Sequence, residues 1–153
     1  MSLSCEIIQT LQGRTLVTAE SCTGGGIGAL LTAVPGSSAV YKGGVISYTN
    51  DVKTDILGVD RCILDREGAV SAPVAEAMAV GVRQLLKADI AVSVTGLAGP
   101  TGDDFGNPVG TVYIGYADAN VVISEKYLFP GDRDAVRQKA VNTALQVILK
   151  MQK

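Results

Sequence analysis

Short runs of apolar and β-branched residues alternate along this chain with longer stretches whose apolar positions repeat at helical spacing. Residues 4–12 carry the helical pattern, with Ser4 as the N-cap. The run Thr15-Leu16-Val17-Thr18 predicts a first strand over residues 15–19. A helix follows from Thr23 or Gly24 to Val34 and stops at Pro35-Gly36. A second strand is expected over residues 41–48, after which Asn50 caps a helix to Leu57 with Gly58 just past its end. The next helix starts at Ser71, carries Pro73 in its first turn and runs to Lys87; Ala75, Met78, Ala79, Val82, Leu85 and Leu86 trace its apolar stripe.

Residues 89–95 alternate too little for a half-exposed strand and read as a central one, buried on both faces. Residues 96–110 form an irregular loop rich in Gly, Pro and Asp, and loops this long inside a compact domain are usually functional or mobile. Strands over residues 111–117 and 121–129 are joined by the hairpin signature Asp118-Ala119-Asn120. A last helix spans residues 132–150, with Val136, Ala140, Ala144, Val147 and Ile148 facing inward. This alternation predicts an α/β fold, a three-layer α/β/α sandwich around a mixed, mostly parallel sheet, with residues 1–153 as one domain. Ligands of such sheets sit at the carboxyl ends of strands, and Ser21, Tyr48 and Thr95 all fall at or just past such ends.

Composition narrows the chemistry more than the fold. The 153 residues are 47% hydrophobic and 18% charged, the balance of a soluble globular chain, and a net charge of −2 without a basic run gives nucleic acid nothing to hold. Three cysteines at irregular spacing (Cys5, Cys22, Cys62) form no disulfide framework and fit a reducing cytoplasm, and no apolar run is long enough to span a membrane. There is no histidine and no CxxC pair, so imidazole can neither bind a metal nor serve as a general base. Asp103 and Asp104 are the nearest approach to a magnesium site, but an adjacent acidic pair in a Gly-rich loop is ordinarily solvated, and no metal or other cofactor is expected.

Serine chemistry in a chain without histidine must borrow its base. Ala19-Glu20-Ser21-Cys22-Thr23-Gly24-Gly25-Gly26 sets a hydroxyl and a thiol side by side where a strand hands over to a helix, a point at which amide N–H groups gather. Lys53 is the candidate base, because a lysine early in a helix is misplaced for the dipole and burial would lower its pKa. Each residue also has a plainer account: Ser21 or Thr23 as a helix cap, Lys53 pointing into solvent, Cys22 as packing, Tyr48 at the edge of the core. Cys22 remains a rival nucleophile, and Glu20 either orients the lysine or caps the helix. Thr95-Gly96 could offer a hydroxyl and an N–H to an oxyanion, or simply form a turn. Arg133 and Arg137 share one face near the start of the last helix, a placement explained by a bound phosphate or by a network with Asp132 and Asp134. Together the residues point to a metal-independent hydrolase or transferase acting on a small phosphorylated substrate.

Seven motifs occur in one order: Ala19-Glu20-Ser21-Cys22-Thr23-Gly24-Gly25, Pro35-Gly36-Ser37-Ser38, Gly43-Gly44-Val45-Ile46-Ser47-Tyr48, Gly68-Ala69-Val70-Ser71, Thr95-Gly96-Leu97-Ala98-Gly99-Pro100, Pro108-Val109-Gly110-Thr111-Val112 and Gly131-Asp132-Arg133. Their order resembles the CinA C-terminal domain family, over roughly residues 7–146. The resemblance implies deamidation of nicotinamide mononucleotide to nicotinate mononucleotide and ammonia, within the bacterial pyridine nucleotide cycle. It further implies Ser21 as nucleophile, Lys53 as base, and Tyr48, Thr95 and Ser38 at other polar positions of the site. The amides of Cys22, Thr23 and Gly24 would face the oxyanion, with Gly96 beside them, and Arg133 or Arg137 would hold the phosphate. A homodimer is expected, as for many relatives. Longer members carry an added N-terminal domain whose activity is not carried over, and Asn107 stands where the family often has lysine. Three other readings remain: an amidase for another carboxamide, a domain that binds a pyridine nucleotide without acting on it, and a structural or protein-interaction role.

Overall fold

Successive residues of a strand face opposite sides of a sheet, and that rule sorts this chain into layers. The computed structural model describes residues 1–153, with five strands: β1 (Leu16–Glu20), β2 (Tyr41–Ile46), β3 (Ile90–Gly96), β4 (Thr111–Ala117) and β5 (Val122–Leu128). They form one sheet in the order β2-β1-β3-β4-β5. β1 pairs in parallel with β2 and β3, whereas β4 is antiparallel to both β3 and β5. Four of the five strands therefore run in one direction, as expected of a mixed, mostly parallel sheet.

On one face, Leu16, Ile90, Val92, Val94, Val112, Ile114 and Tyr116 pack against α1 (Leu3–Thr10), α2 (Gly26–Thr32) and α6 (Arg133–Lys150). On the other, Val17, Ala19, Ala91 and Ala117 meet α5 (Ala72–Leu86) and the segment that leads to it through α3 (Asn50–Asp55) and α4 (Arg61–Glu67). Three layers result. Residues under α5 are small, so that helix lies close: Ser93 Oγ donates to the Ala75 carbonyl, and Gly115 leaves no room for a Cβ against the same carbonyl. No helix is long and apolar enough to cross a membrane.

Several expected boundaries move, each for a local reason. Ser2, not Ser4, caps α1, accepting from the Cys5 N–H at 3.1 Å while Ser4 is buried. Thr49 caps α3, and Asn50 is its first residue. α2 begins only at Gly26, because Gly24 and Gly25 take left-handed φ values of +58° and +101° that no helix allows. α4 was not foreseen. β1 and β2 also pair with an irregularity: Leu16 faces Tyr41 but Val17 faces Gly43, so Lys42 is an extra residue in β2.

Where α5 crosses the chain after α3, Gly81 sits directly over Leu57, whose carbonyl carbon lies 3.0 Å from the place a Cβ would take, with the oxygen nearer still. Backbone there cannot yield as a side-chain tip would. Gly81→Ala is expected to destabilise the fold by about 2 kcal/mol or more, against the small gain alanine brings to an open helix. A urea titration would read this as a lower midpoint at unchanged slope.

Candidate active site

The carboxyl ends of β1, β2 and β3 meet at one edge of the sheet. Ser21 follows β1 directly and its N–H donates to the Val94 carbonyl of β3 at 3.0 Å, while the Ser47 N–H after β2 donates to the Glu20 carbonyl at 2.8 Å. By strand alternation Val17, Ala19 and Ser21 face the α5 side, and Glu20 faces α2. The two neighbours thus serve opposite faces. Glu20, 2% exposed, accepts from the Thr23 hydroxyl (2.8 Å) and from the N–H groups of Ile27 (2.9 Å) and Gly28 (3.1 Å). Of the two roles open to it, the carboxylate caps α2 and leaves the lysine alone.

Lys53 lies inside. At 1% exposure its Nζ is 3.0 Å from Ser21 Oγ, 2.8 Å from the Ser47 carbonyl oxygen and 3.2 Å from that of Tyr48. None of the molecule's three ion pairs involves it. Burial lowers its pKa from 10.5 to about 8, and no neighbouring cation contributes. Cys22 is buried as well, and burial pushes its thiol up to about 11. Adjacent nucleophile candidates are thereby separated: a hydroxyl held by an amine that can be neutral, and a thiol held in its protonated form.

The turn after Ser21 has its own hydrogen-bond ledger. The Gly24 N–H donates to the Ser21 carbonyl (3.1 Å) and the Gly26 N–H to that of Thr23 (2.9 Å). The N–H groups of Cys22, Thr23 and Gly25 find no acceptor in another residue. These three, and not that of Gly24, are the amides left without a partner; Cys22 and Thr23 directly follow Ser21, and the Thr23 hydroxyl is already committed to Glu20.

Beside them Cys22, Tyr48, Val70, Gly96, Gly99 and Arg133 help line a hollow of about 340 Å³. Arg133 spans its rim, donating to the Gly99 carbonyl at 2.7 Å and to the Tyr48 hydroxyl at 3.2 Å. Arg137 does not reach the rim. Its guanidinium donates to the carbonyls of Cys22 (2.9 Å) and Thr23 (3.4 Å). Thr95 is buried, its hydroxyl donating to the Ala69 carbonyl at 2.8 Å, and Gly96 is needed for packing, since a Cβ would meet Val112 Cγ2 at 2.6 Å.

Ser38 is not brought to this place. It is exposed in the short turn Ser37–Ala39 before β2, whose first residue pairs with the start of β1, whereas Ser21 follows the end of β1. A strand of that length carries the chain about 20 Å to the far edge of the sheet. Asp103 is likewise turned inward on its loop, accepting from the N–H groups of Phe105 and Asn107 and from the Asn107 side-chain amide. That amide also donates to the Val70 carbonyl at 3.2 Å, so Asn107 ties the Gly-rich loop to the segment before α5. The two carbonyls that hold Lys53 carry no signature in the sequence, and neither does the reach of Glu20 to the N–H groups of Ile27 and Gly28, seven and eight residues on.

Comparison with known proteins agrees with this architecture. The model of the CinA C-terminal domain matches residues 2–152. A CinA-like protein of Thermosynechococcus vestitus is 49% identical over 152 residues, covering 96% of this chain and 36% of that protein. A putative competence-damage inducible protein of Halothermothrix orenii is 52% identical over 134 residues, covering 87% of this chain and 32% of that protein. The chain spans about a third of the length of these curated relatives. Among solved structures, the competence/damage inducible protein CihA of Agrobacterium tumefaciens superposes with a TM-score of 0.95 at 39% identity, covering 99% of this chain and 94% of that one. A CinA superfamily protein of Klebsiella pneumoniae gives 0.95 at 34%, covering 98% and 95%. With the fold, the ordered motifs and the match along nearly its whole length in agreement, the chain belongs to the CinA C-terminal domain family.

Proposed function

We propose that this chain hydrolyses the carboxamide of nicotinamide mononucleotide, releasing ammonia and nicotinate mononucleotide, with Ser21 as nucleophile and Lys53 as its base. One observation carries the reading. Lys53 Nζ has three close oxygens, and two of them, the carbonyls of Ser47 and Tyr48, can only accept. A neutral amine has two N–H bonds and one lone pair. The carbonyls take both N–H bonds, and the lone pair is left for the Ser21 hydroxyl, which then donates to Nζ. Burial supports the same assignment by making the neutral form accessible near physiological pH.

In the reaction Ser21 Oγ attacks the amide carbon as its proton passes to Lys53, and the oxyanion takes the Cys22 and Thr23 amides. Lys53 then protonates the departing nitrogen, and water cleaves the acyl ester to free the acid and the serine. Arg133 at the rim is suited to the substrate phosphate, because displacing the Tyr48 hydroxyl frees part of its donor fork. No step calls for a cofactor.

Ammonia release tests this against pH. With a base of pKa about 8, roughly one tenth of the enzyme is active at pH 7, so kcat/KM is expected to rise about tenfold between pH 7 and pH 9. Tight binding of the nucleotide without ammonia would instead identify a binding domain. Turnover that is flat across this range would remove Lys53 from the base role.

A further inference from the structure

Arg137 is half-buried, carries a full charge, and makes no ion pair; its contacts are the carbonyls of Cys22 and Thr23. Both carbonyls belong to the turn after β1 and not to α6, and α6 gains nothing from a cation near its N-terminus. Gly24, at its left-handed φ, lies in ordinary contact with the same guanidinium, Arg137 Nη2 being 3.4 Å from the place a Cβ would take.

The geometry of a peptide unit supplies the consequence. In a trans peptide the C=O and N–H point in opposite directions, so fixing the Cys22 oxygen on α6 aims the Thr23 N–H the other way. That N–H is one of three in the turn, with those of Cys22 and Gly25, that no other residue accepts. A cation on the oxygen also draws electron density through the amide and makes the N–H a stronger donor. Glu20 holds the Thr23 hydroxyl as well, so Thr23 is fixed at both side chain and backbone.

We infer that Arg137 is a positioning residue which orients and polarises the Thr23 amide as a donor to the reaction's oxyanion, and does not hold the substrate's phosphate. The inference rests on Ser21 being the nucleophile, but not on the identity of the substrate.

A fluorophosphonate probe separates the two. Its phosphorus is attacked by Ser21 Oγ: the O–P bond forms, the P–F bond breaks, fluoride leaves with the electron pair, and the serine proton passes to Lys53. The developing charge on the phosphoryl oxygen needs the same amides. Labelling of Ser21, read by intact mass, is expected to slow about 10- to 100-fold in Arg137→Met, the scale seen when an oxyanion donor is lost or displaced. The pH inflection of labelling stays in place, because Lys53 is untouched. With nicotinamide mononucleotide the same variant lowers kcat and leaves KM within about twofold, whereas loss of a phosphate ligand raises KM. Arg137→Lys, which keeps charge and stem but not the fork, falls between and reads the effect if the methionine variant does not fold. Gln138→Ala, exposed one residue along α6, labels as wild type.

A wild-type labelling rate in the Arg137 variants that fold, a raised KM at constant kcat, or a shifted inflection overturns the proposal. A wild type that cannot be labelled at Ser21 overturns it too. Normal labelling without ammonia from the nucleotide refutes only the substrate and leaves Arg137 to be judged by the labelling series.

Discussion

Ser21→Ala is expected to reduce ammonia release by about 10⁴-fold or more, to the level left by binding and oxyanion contacts alone. The loss is chemical and not structural. The only partner of the Ser21 hydroxyl is Lys53 Nζ, and truncation leaves that nitrogen its two carbonyls, so stability changes by no more than about 1 kcal/mol. Cys22→Ala is the informative companion. With the thiol pushed up to about 11 by burial, only about one part in 10⁴ is thiolate at pH 7, and turnover is expected to stay within a few-fold of wild type. Full activity in Ser21→Ala would end the serine mechanism. Loss confined to Cys22→Ala would transfer the role to sulfur.

Lys53→Met is expected to match the first effect, and the double variant with Ser21→Ala to be no slower than either single one, because the pair acts as a unit. Its stability should carry a second mark. Below about pH 8 the lysine is protonated in both folded and unfolded chains, and the cost of burying the charge is fully present. Between about 8 and 10.5 the unfolded chain binds a proton that the folded one releases, so wild-type stability gains as pH rises through that window. At 1.36 kcal/mol per pKa unit, the gain relative to Lys53→Met approaches about 3 kcal/mol. Urea midpoints of both proteins from pH 7 to 10 measure it. Parallel stability curves would mean that the amine is not buried as a free base.

Most of the architecture was legible because its periods are clean. The stripe of α5 and the apolar run of β3 leave little choice; α6 has a weaker stripe and is marked by its Asp132 cap and the inward positions Val136, Ala140, Ala144, Val147 and Ile148. α4 escaped because seven residues with Ile63 and Leu64 adjacent make no stripe, and only packing beneath α5 gives them a shape. In the site, Ser21 and Lys53 could be singled out from a strand end and a misplaced charge. Their separation of 3.0 Å could not, because it depends on which strand lies beside β1. Arg137 resembled a phosphate ligand for the same reason: its spacing from Arg133 is local, but the carbonyls it meets are more than a hundred residues away. Ser38 lies within this chain at the other end of β2 from Ser21, a distance that depends on strand direction and that its motif does not carry.

The extra residue Lys42 gives the meeting of nucleophile and base a parity. Ser21 is carried at the tip of β1 and the two carbonyls that grip Lys53 at the tip of β2, so the distance between Ser21 and Lys53 is inherited from the phase between two neighbouring rails. The bulge takes up Lys42, so Gly43 to Ile46 stay in step with Val17 to Glu20; take one residue out beyond it and every later side chain changes face. Val45 would then arrive where Gly44 keeps clear the hydroxyls of Thr18 and Tyr41, and the grip on the amine would open. Chemistry that looks like the property of two side chains is, in this molecule, a property of counting along an edge strand.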